Sequence, residues 1–328
     1  MIPPSLLDAI ADECAAVTKL SRWAGRSVAL EPEQLLQRDI ALSPAGICSP
    51  NGHCRLVETA DGWIAVNLAR PDDRDSVAAW LERVGTSSSW DVITERARNL
   101  TTNHLLDRAE LLGLPVASVG ETKCAPSLDL ARCTLQSHSA KVVDLSALWA
   151  GPLCGAILAE AGLTVTKLED PARPDPTRES TPEHDRRLNG RKKRISIGLT
   201  DSVILNLIVQ ARVLITSARP HALTRLGLTR QDVFDRNQNL IWIAITAHGF
   251  SGAGAMRVGF GDDTAAAGGL IGWTDESPNF LGDALADPLT GLRAARLALD
   301  AVATGQSGLI DVPLASTAWD FARQAGLL

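Results

Sequence analysis

Few residues in this chain have types and settings suited to chemistry, and one carboxylate stands out. Asp287 lies in the run Leu285-Ala286-Asp287-Pro288-Leu289-Thr290-Gly291, ahead of a stretch with helical spacing from Leu289 to Thr304. Proline suits a first helical turn, so Asp287 falls where free N–H groups and the helix dipole favour an ionised carboxylate. An aspartate in that position either caps the helix or acts on a bound group. The turn Trp149-Ala150-Gly151-Pro152 is a second such place. Gly151 has no side chain, which lets an anionic ligand approach the amides at the start of the helix that follows. The six histidines are scattered. The cysteines at 14, 48, 54, 124, 133 and 154 form no C-x-x-C pair and no zinc-type cluster, so neither a metal nor a disulfide is expected. Arg191, Lys192, Lys193 and Arg194 form a basic run of the kind that usually marks a solvated face.

The elements that must position these residues are legible around the turn. Val142 to Leu145 is an apolar run suited to a buried parallel strand, and Thr164 to Glu169 is a second. Between them Leu153, Ile157, Leu158 and Ala161 recur at helical spacing, with Pro152 in the first turn and Gly162 just past the end. The turn lacks G-x-G-x-x-G, which argues against a dinucleotide. With 328 residues, 45% of them hydrophobic, and a mean hydropathy of +0.04, the chain can bury a large core and is expected to form two domains. A net charge of −6 supplies no basic field for nucleic acid. No run reaches the roughly 18 apolar residues of a membrane span, and the start MIPPSLLDAIADECA lacks the basic opening of a signal peptide, so a cytoplasmic location is expected.

The wording of these segments adds a resemblance. DLSALWAGP followed by LAEAGLTVTKLEDP resembles the opening of the family III CoA-transferases, which include formyl-CoA and carnitine-CoA transferases and the α-methylacyl-CoA racemases. The similarity continues in order through LNGRKKRISIGL (188–199), VLITSARPHALTRLGLT (213–229), NLIWIAITAHGFSG (239–252), GDALADPLTGLRAARLALDAV (282–302) and GQSGLIDVPLAST (305–317). The resemblance implies an α/β fold with a Rossmann-like large domain on a parallel sheet and a smaller α/β domain. In the family the large domain begins near the N-terminus, whereas here its opening falls at residue 142. PNGHCRLVETADGWIAVNLARPDDRDSVAAWLERVG (50–85) and LLGLPVASVGE (111–121) look like the family's small domain. The order therefore reads as a circular permutation with the small domain first: 1–123 a helical lead and small domain, 124–138 a polar linker, 139–328 the CoA-binding domain.

On this resemblance Asp287 matches the family's nucleophilic aspartate, and the implied activity is a CoA-transferase. It moves CoA from an acyl-CoA to a small carboxylic acid through an aspartyl-CoA intermediate, with CoA as substrate and no permanently bound cofactor. Arg225 matches an arginine placed for CoA's phosphates, and Leu226 packs near the adenine. Trp149, Ala150 and Gly151 occupy the positions near pantetheine and thioester, with Trp149 where family transferases often carry Gln. Ser217 and Ala218 replace the usual Asn and aromatic residue of the adenine loop, and Arg191 with its basic neighbours lies near the expected CoA entrance. The family's glycine-rich flap has no counterpart in the sequence, Pro50-Asn51-Gly52 being a poor substitute. Phe260 stands where the racemases carry a catalytic histidine, leaving His248 as the one substitute to test. An interlocked homodimer is implied. The alternatives are a noncatalytic acyl-CoA-binding relative and an isomerase or lyase acting on acyl-CoA.

Overall fold

A computed structural model of the protein describes residues 2–83, 88–132, 140–198 and 202–328. Three strands come first: β1 (Cys54–Glu58), β2 (Trp63–Asn67) and β3 (Val116–Ser118) pair antiparallel in the order β1-β2-β3. Helices Pro71–Trp80, Trp90–Ala97 and Thr102–Leu112 pack on this sheet around Ile64, Val66, Val77, Trp80 and Leu105. Trp80 is fully buried, and its indole N–H donates to the Leu105 carbonyl at 2.9 Å, so the ring is buried without stranding a polar group.

The chain then lays down β4 (Ser127–Arg132), β5 (Lys141–Leu145), β6 (Thr164–Glu169), β7 (Lys193–Ser196), β8 (Val213–Thr216) and β9 (Ile241–Thr246). The hairpin β10 (Ile271–Thr274) and β11 (Ser277–Phe280) and the long β12 (Gln306–Pro313) follow. Seven of these form one sheet in the order β4-β12-β9-β8-β5-β6-β7, parallel except where β12 meets the edge strand β4. Helices on both faces explain why β8 and β9 are buried along their whole length rather than alternating. Pro4–Ala24, Ala150–Glu160, Ala286–Thr304 and Leu314–Gln324 share one core; Ser202–Val209, Pro220–Arg225 and Arg230–Arg236 share the core on the other face. From β5 the chain steps to β6 and β7 on one side and returns to β8 on the other. The loops after β5 and β8 therefore turn to opposite sides at the carboxyl ends of the strands, the usual ligand position in such sheets.

The strand-turn-helix-strand unit forms where the sequence places it, with Pro152 in the first turn of Ala150–Glu160 and Gly162 beyond its end at φ +105°. Two expectations change. Ser127–Arg132, within the segment 124–138 read as a linker, is the edge strand β4, whose antiparallel ladder with β12 runs from Ser127 to Arg132. Residues 133–138 of that segment, with Cys133, lie outside the described residues, as do 84–85 and Leu199 of the quoted segments. The long helix begins at Ala286 rather than Leu289, because Leu285 already has helical dihedrals (φ −55°, ψ −32°). Asp287 is therefore inside the first turn and is not the N-cap.

Candidate active site

The first turn of Ala286–Thr304 brings Asp287 against Gly261, at the start of the short helix Gly261–Ala267. A Cβ on Gly261 would collide with the Asp287 carboxylate and the Ala284 carbonyl, so only glycine leaves room for this approach. The Gly261 backbone N–H lies on the same side and favours the ionised carboxylate. Asp262 and Asp283 stand beside it, and Asp263 adjoins Asp262. Asp262, Asp263 and Asp283 are 3%, 0% and 5% exposed, whereas Asp287 keeps intermediate exposure. The approach is locked by a strained residue: Ala284 has φ +44°, and its N–H donates to Asp262 Oδ1 at 2.7 Å.

The neutralising contacts come from a distant part of the chain. Asn51 Nδ2 donates to Asp262 Oδ2 at 2.7 Å and to Asp283 Oδ1 at 2.6 Å. Its Oδ1 accepts from Ser49 Oγ at 3.0 Å and from the His53 N–H at 2.9 Å, which fixes the loop from Ser49 to His53 over the aspartates. Arg38 Nε lies 3.3 Å from Asp283 Oδ2, and the guanidinium stacks 5.0 Å above the Trp149 ring. Asn67 Nδ2 donates to Asp263 Oδ1 at 3.0 Å.

Burial pushes the Asp287 carboxyl up to about 7; the Arg38 guanidinium opposes this, while the charges of Asp262 and Asp283 add to it. Burial likewise raises Asp262 to about 6 against the Asn51 hydrogen bond, and Asp263 to about 8 against the Phe260 N–H and Asn67. This arrangement holds a carboxylate that is poorly solvated, close to neutrality in its titration, and open on one side. Those are the properties of an oxygen nucleophile activated by desolvation.

The switch-point residues named from sequence come together. Ser217 Oγ, just past β8, accepts from the Ala147 N–H at 3.0 Å and ties the two diverging loops to each other. Ala218 follows it, half-buried. Trp149 is 1% exposed, and its ring meets His184 edge-on at 4.8 Å between centroids. Its indole nitrogen has no hydrogen-bond partner. Ala150 and Gly151 open the helix beneath. Gly151 serves a different purpose from the one expected: a Cβ there would collide with the Ser146 side chain, so the missing side chain closes the turn on itself rather than admitting a ligand. Leu148 is held at φ +68° while its N–H donates to the Asp175 carboxylate at 3.2 Å. Lys167 Nζ braces the same turn, donating to the Ser146 carbonyl at 2.7 Å.

The basic residues divide. Lys192 is not a surface cation: it is buried, donating to Asp144 Oδ2 and the Pro152 carbonyl, each at 2.7 Å, and to Asn189 Oδ1 at 2.9 Å. Arg194 pairs with Asp185 at 2.5 Å. That leaves Arg191 and Lys193 exposed at the edge strand β7, with β6 between them and β5, so the run does not act as one patch. Arg225 is exposed at the end of Pro220–Arg225, and Leu226 is half-buried beside it. Arg219 was missed from sequence; it follows Ser217 and Ala218 and feels the charges of Arg70 and Arg173. His248 is buried 4.0 Å from Glu121, and burial with the Arg257 charge pushes it down to about 3. Phe260 carries its N–H to Asp263 Oδ1 at 2.9 Å.

Fold and site together define a doubly wound α/β protein with a carboxylate centre at the first turn of a helix. The chain belongs to CoA-transferase family III, whose model matches residues 138–326. It is 31% identical over 193 residues to a succinyl-CoA–D-citramalate CoA-transferase of Chloroflexus aurantiacus, a match covering 52% of this chain and 47% of that protein. Similarity to the succinyl-CoA:glutarate CoA-transferase of Homo sapiens is 29% over 170 residues, covering 47% and 38%. A CAIB/BAIF family protein from Brucella suis superposes with a TM-score of 0.51 at 27% identity, over 56% of this chain and 54% of that one. The chain thus spans about half the length, or less, of the curated relatives it matches.

Proposed function

We propose that the chain carries the catalytic half-site of a CoA-transferase, with Asp287 as the nucleophile. One observation supports this above the rest: of the four clustered aspartates, Asp287 alone keeps solvent access, while Asp262 and Asp283 are closed off by Asn51 and Asp263 is fully buried. An Asp287 oxygen attacks the acyl-CoA carbonyl carbon, the C–S bond breaks, and CoA leaves as thiolate. The thiolate attacks the Asp287 carbonyl of the resulting anhydride, giving an aspartyl-CoA thioester and releasing the first carboxylate. An incoming carboxylate attacks that thioester and expels the thiolate again. The thiolate then takes the new acyl group and restores Asp287. The Gly261 N–H is the donor at hand for the Asp287 oxygen, and the Ser49–His53 loop takes the covering role of the glycine-rich flap. CoA binds at the β5–β8 switch point, with its phosphates toward Arg219 and Arg225 and its thioester end toward Trp149, Ala150 and Gly151. The named substrates of the relatives favour small di- and hydroxycarboxylic acids. We also read the small domain about β1–β3 and the domain of the seven-stranded sheet, on which the leading helix Pro4–Ala24 packs, as two domains in permuted order, and the working protein as a cytoplasmic homodimer.

The test is covalent. Incubation with acyl-CoA alone is expected to add CoA or acyl mass to the peptide containing Asp287, and Asp287→Asn is expected to abolish the adduct. Transfer to a labelled carboxylic acid without ATP should fall on the order of 10^4-fold or more in that variant, the scale on which loss of a covalent nucleophile acts. Because Asp287 must be ionised to attack and burial raises it to about 7, the rate should climb with pH to about 7 and then level. An unlabelled Asp287 in a protein that transfers CoA would refute the assignment. A protein that binds CoA and is never labelled would be the noncatalytic acyl-CoA-binding relative.

A further inference from the structure

We infer that Arg38 is the receptor for the carboxylate of the acyl acceptor, an inference that rests on the CoA-transfer reading above. The reaction must bring a carboxylate, an anion, up to Asp287 while Asp262 and Asp283 stand beside it, and like charges at such distances repel unless a cation intervenes. Arg38 is the cation placed to do so. Its Nε is 3.3 Å from Asp283 Oδ2, and its guanidinium is the positive charge that most opposes the effect of burial on Asp287. Apart from that ion pair the guanidinium forms no hydrogen bond among the described residues, so its two Nη groups are unclaimed, and its side chain is 20% exposed. The Trp149 ring, its centroid 5.0 Å from the Arg38 Cζ, attracts the guanidinium to its face and restricts the side chain before a planar two-oxygen partner arrives. The Trp149 indole nitrogen, buried and unpaired, lies in that same ring.

The neighbours exclude other candidates. Lys192 is saturated by Asp144, Pro152 and Asn189 beneath the turn, and Arg257 is paired with Glu121 at 2.6 Å. His53, exposed near Arg38 and Asp283, is pushed down by burial and by Arg74 and Arg38, which leaves it neutral at pH 7. Arg38 also lies outside residues 138–326, so the family segment does not supply this contact; the preceding part of the chain does. Arg38 is a binding residue by this account: it receives the acid that departs from the donor and then orients the acceptor oxygen toward the Asp287 carbonyl.

Propionate and its uncharged isostere propionamide separate charge recognition from shape. A thermal-shift titration of the full chain at constant ionic strength is expected to show saturable stabilisation by propionate and none by propionamide. Arg38→Ala should weaken propionate about tenfold or more, the loss expected for a charge-assisted two-pronged contact. Should Arg38→Ala fail to fold, Arg38→Lys decides: it keeps the charge and loses the fork, and a drop of about threefold or more is expected. Absence of saturable propionate binding in the natural protein, or unchanged affinity in the folded variant, overturns the inference. Arg38-dependent binding with an unlabelled Asp287 would sink the transferase reading and leave Arg38 a carboxylate site without an acceptor role, whereas CoA transfer with undiminished propionate affinity in the variant would sink this inference alone.

Discussion

Asp263 shows how the site's carboxylates affect stability in opposition to their use. It is fully buried; Oδ1 accepts from the Phe260 N–H and from Asn67, and Oδ2 has no partner. Burial raises it to about 8, from 3.8 in the unfolded chain. The folded state therefore keeps a proton that the unfolded chain gives up, and stability falls as pH rises from about 4 to about 8. The slope for one proton is roughly 1.4 kcal/mol per pH unit within that window. Asp263→Asn stays neutral throughout, so urea midpoints at pH 5 and pH 8 should differ less in the variant than in the natural protein, with the variant the more stable at pH 8. An equal difference in both would show that Asp263 does not titrate there. At this scale the sequence pointed to Asp287 through the family resemblance, since the proline and periodic helix after it read on their own as a cap, and it displayed Asp262 and Asp283 without showing them as neighbours. Asn51 and Arg38 stayed hidden: the Asn51 contacts bridge 211 and 232 residues, and no local pattern encodes such a distance.

Two helices carry the site, and their crossing sets its dimensions. Ala150–Glu160 and Ala286–Thr304 meet at Gly291, where a Cβ would lie 2.6 Å from the Ala150 carbonyl and 2.9 Å from Leu153 Cβ. Alanine is intrinsically a better helix former than glycine by about 1 kcal/mol. The obstructing atom is backbone, however, so the helices must part, at a cost of roughly 1 to 3 kcal/mol. Gly291→Ala should therefore lower stability despite its better propensity. Because the displaced carbonyl belongs to Ala150, it should also weaken CoA binding by calorimetry. A more stable variant with unchanged CoA affinity would show that the crossing yields without moving the turn. The β5-helix-β6 unit was legible from period and punctuation, since apolar runs of strand length and a Pro-to-Gly helix leave little choice. The buried Lys192 was not, because a lysine in a basic run reads as solvated until Asp144 is seen beneath the same turn.

At the scale of the whole molecule, the helix Pro4–Ala24 packs with Ala286–Thr304 and Leu314–Gln324 in the core on one face of the seven-stranded sheet. Ser5 Oγ donates to the Ala325 carbonyl at 2.9 Å, so the two ends of the described chain meet on the same layer. If the order of segments arose by permutation, the family's order should be recoverable by joining these ends and opening the chain elsewhere. The place to open is between Arg132, the last residue of β4, and Ala140, just before β5. There the cut separates the antiparallel edge strand from the parallel ladder and breaks neither. A short glycine-rich linker can span nearby ends with little loss of loop entropy. The rearranged protein, starting near residue 140 and ending at Arg132, is expected to unfold cooperatively within a few degrees of the natural chain. It should also keep the natural chain's mass by light scattering, a dimer on our reading. A rearranged chain that aggregates or melts far lower would show that the present order is required for folding, against permutation of a tolerant fold.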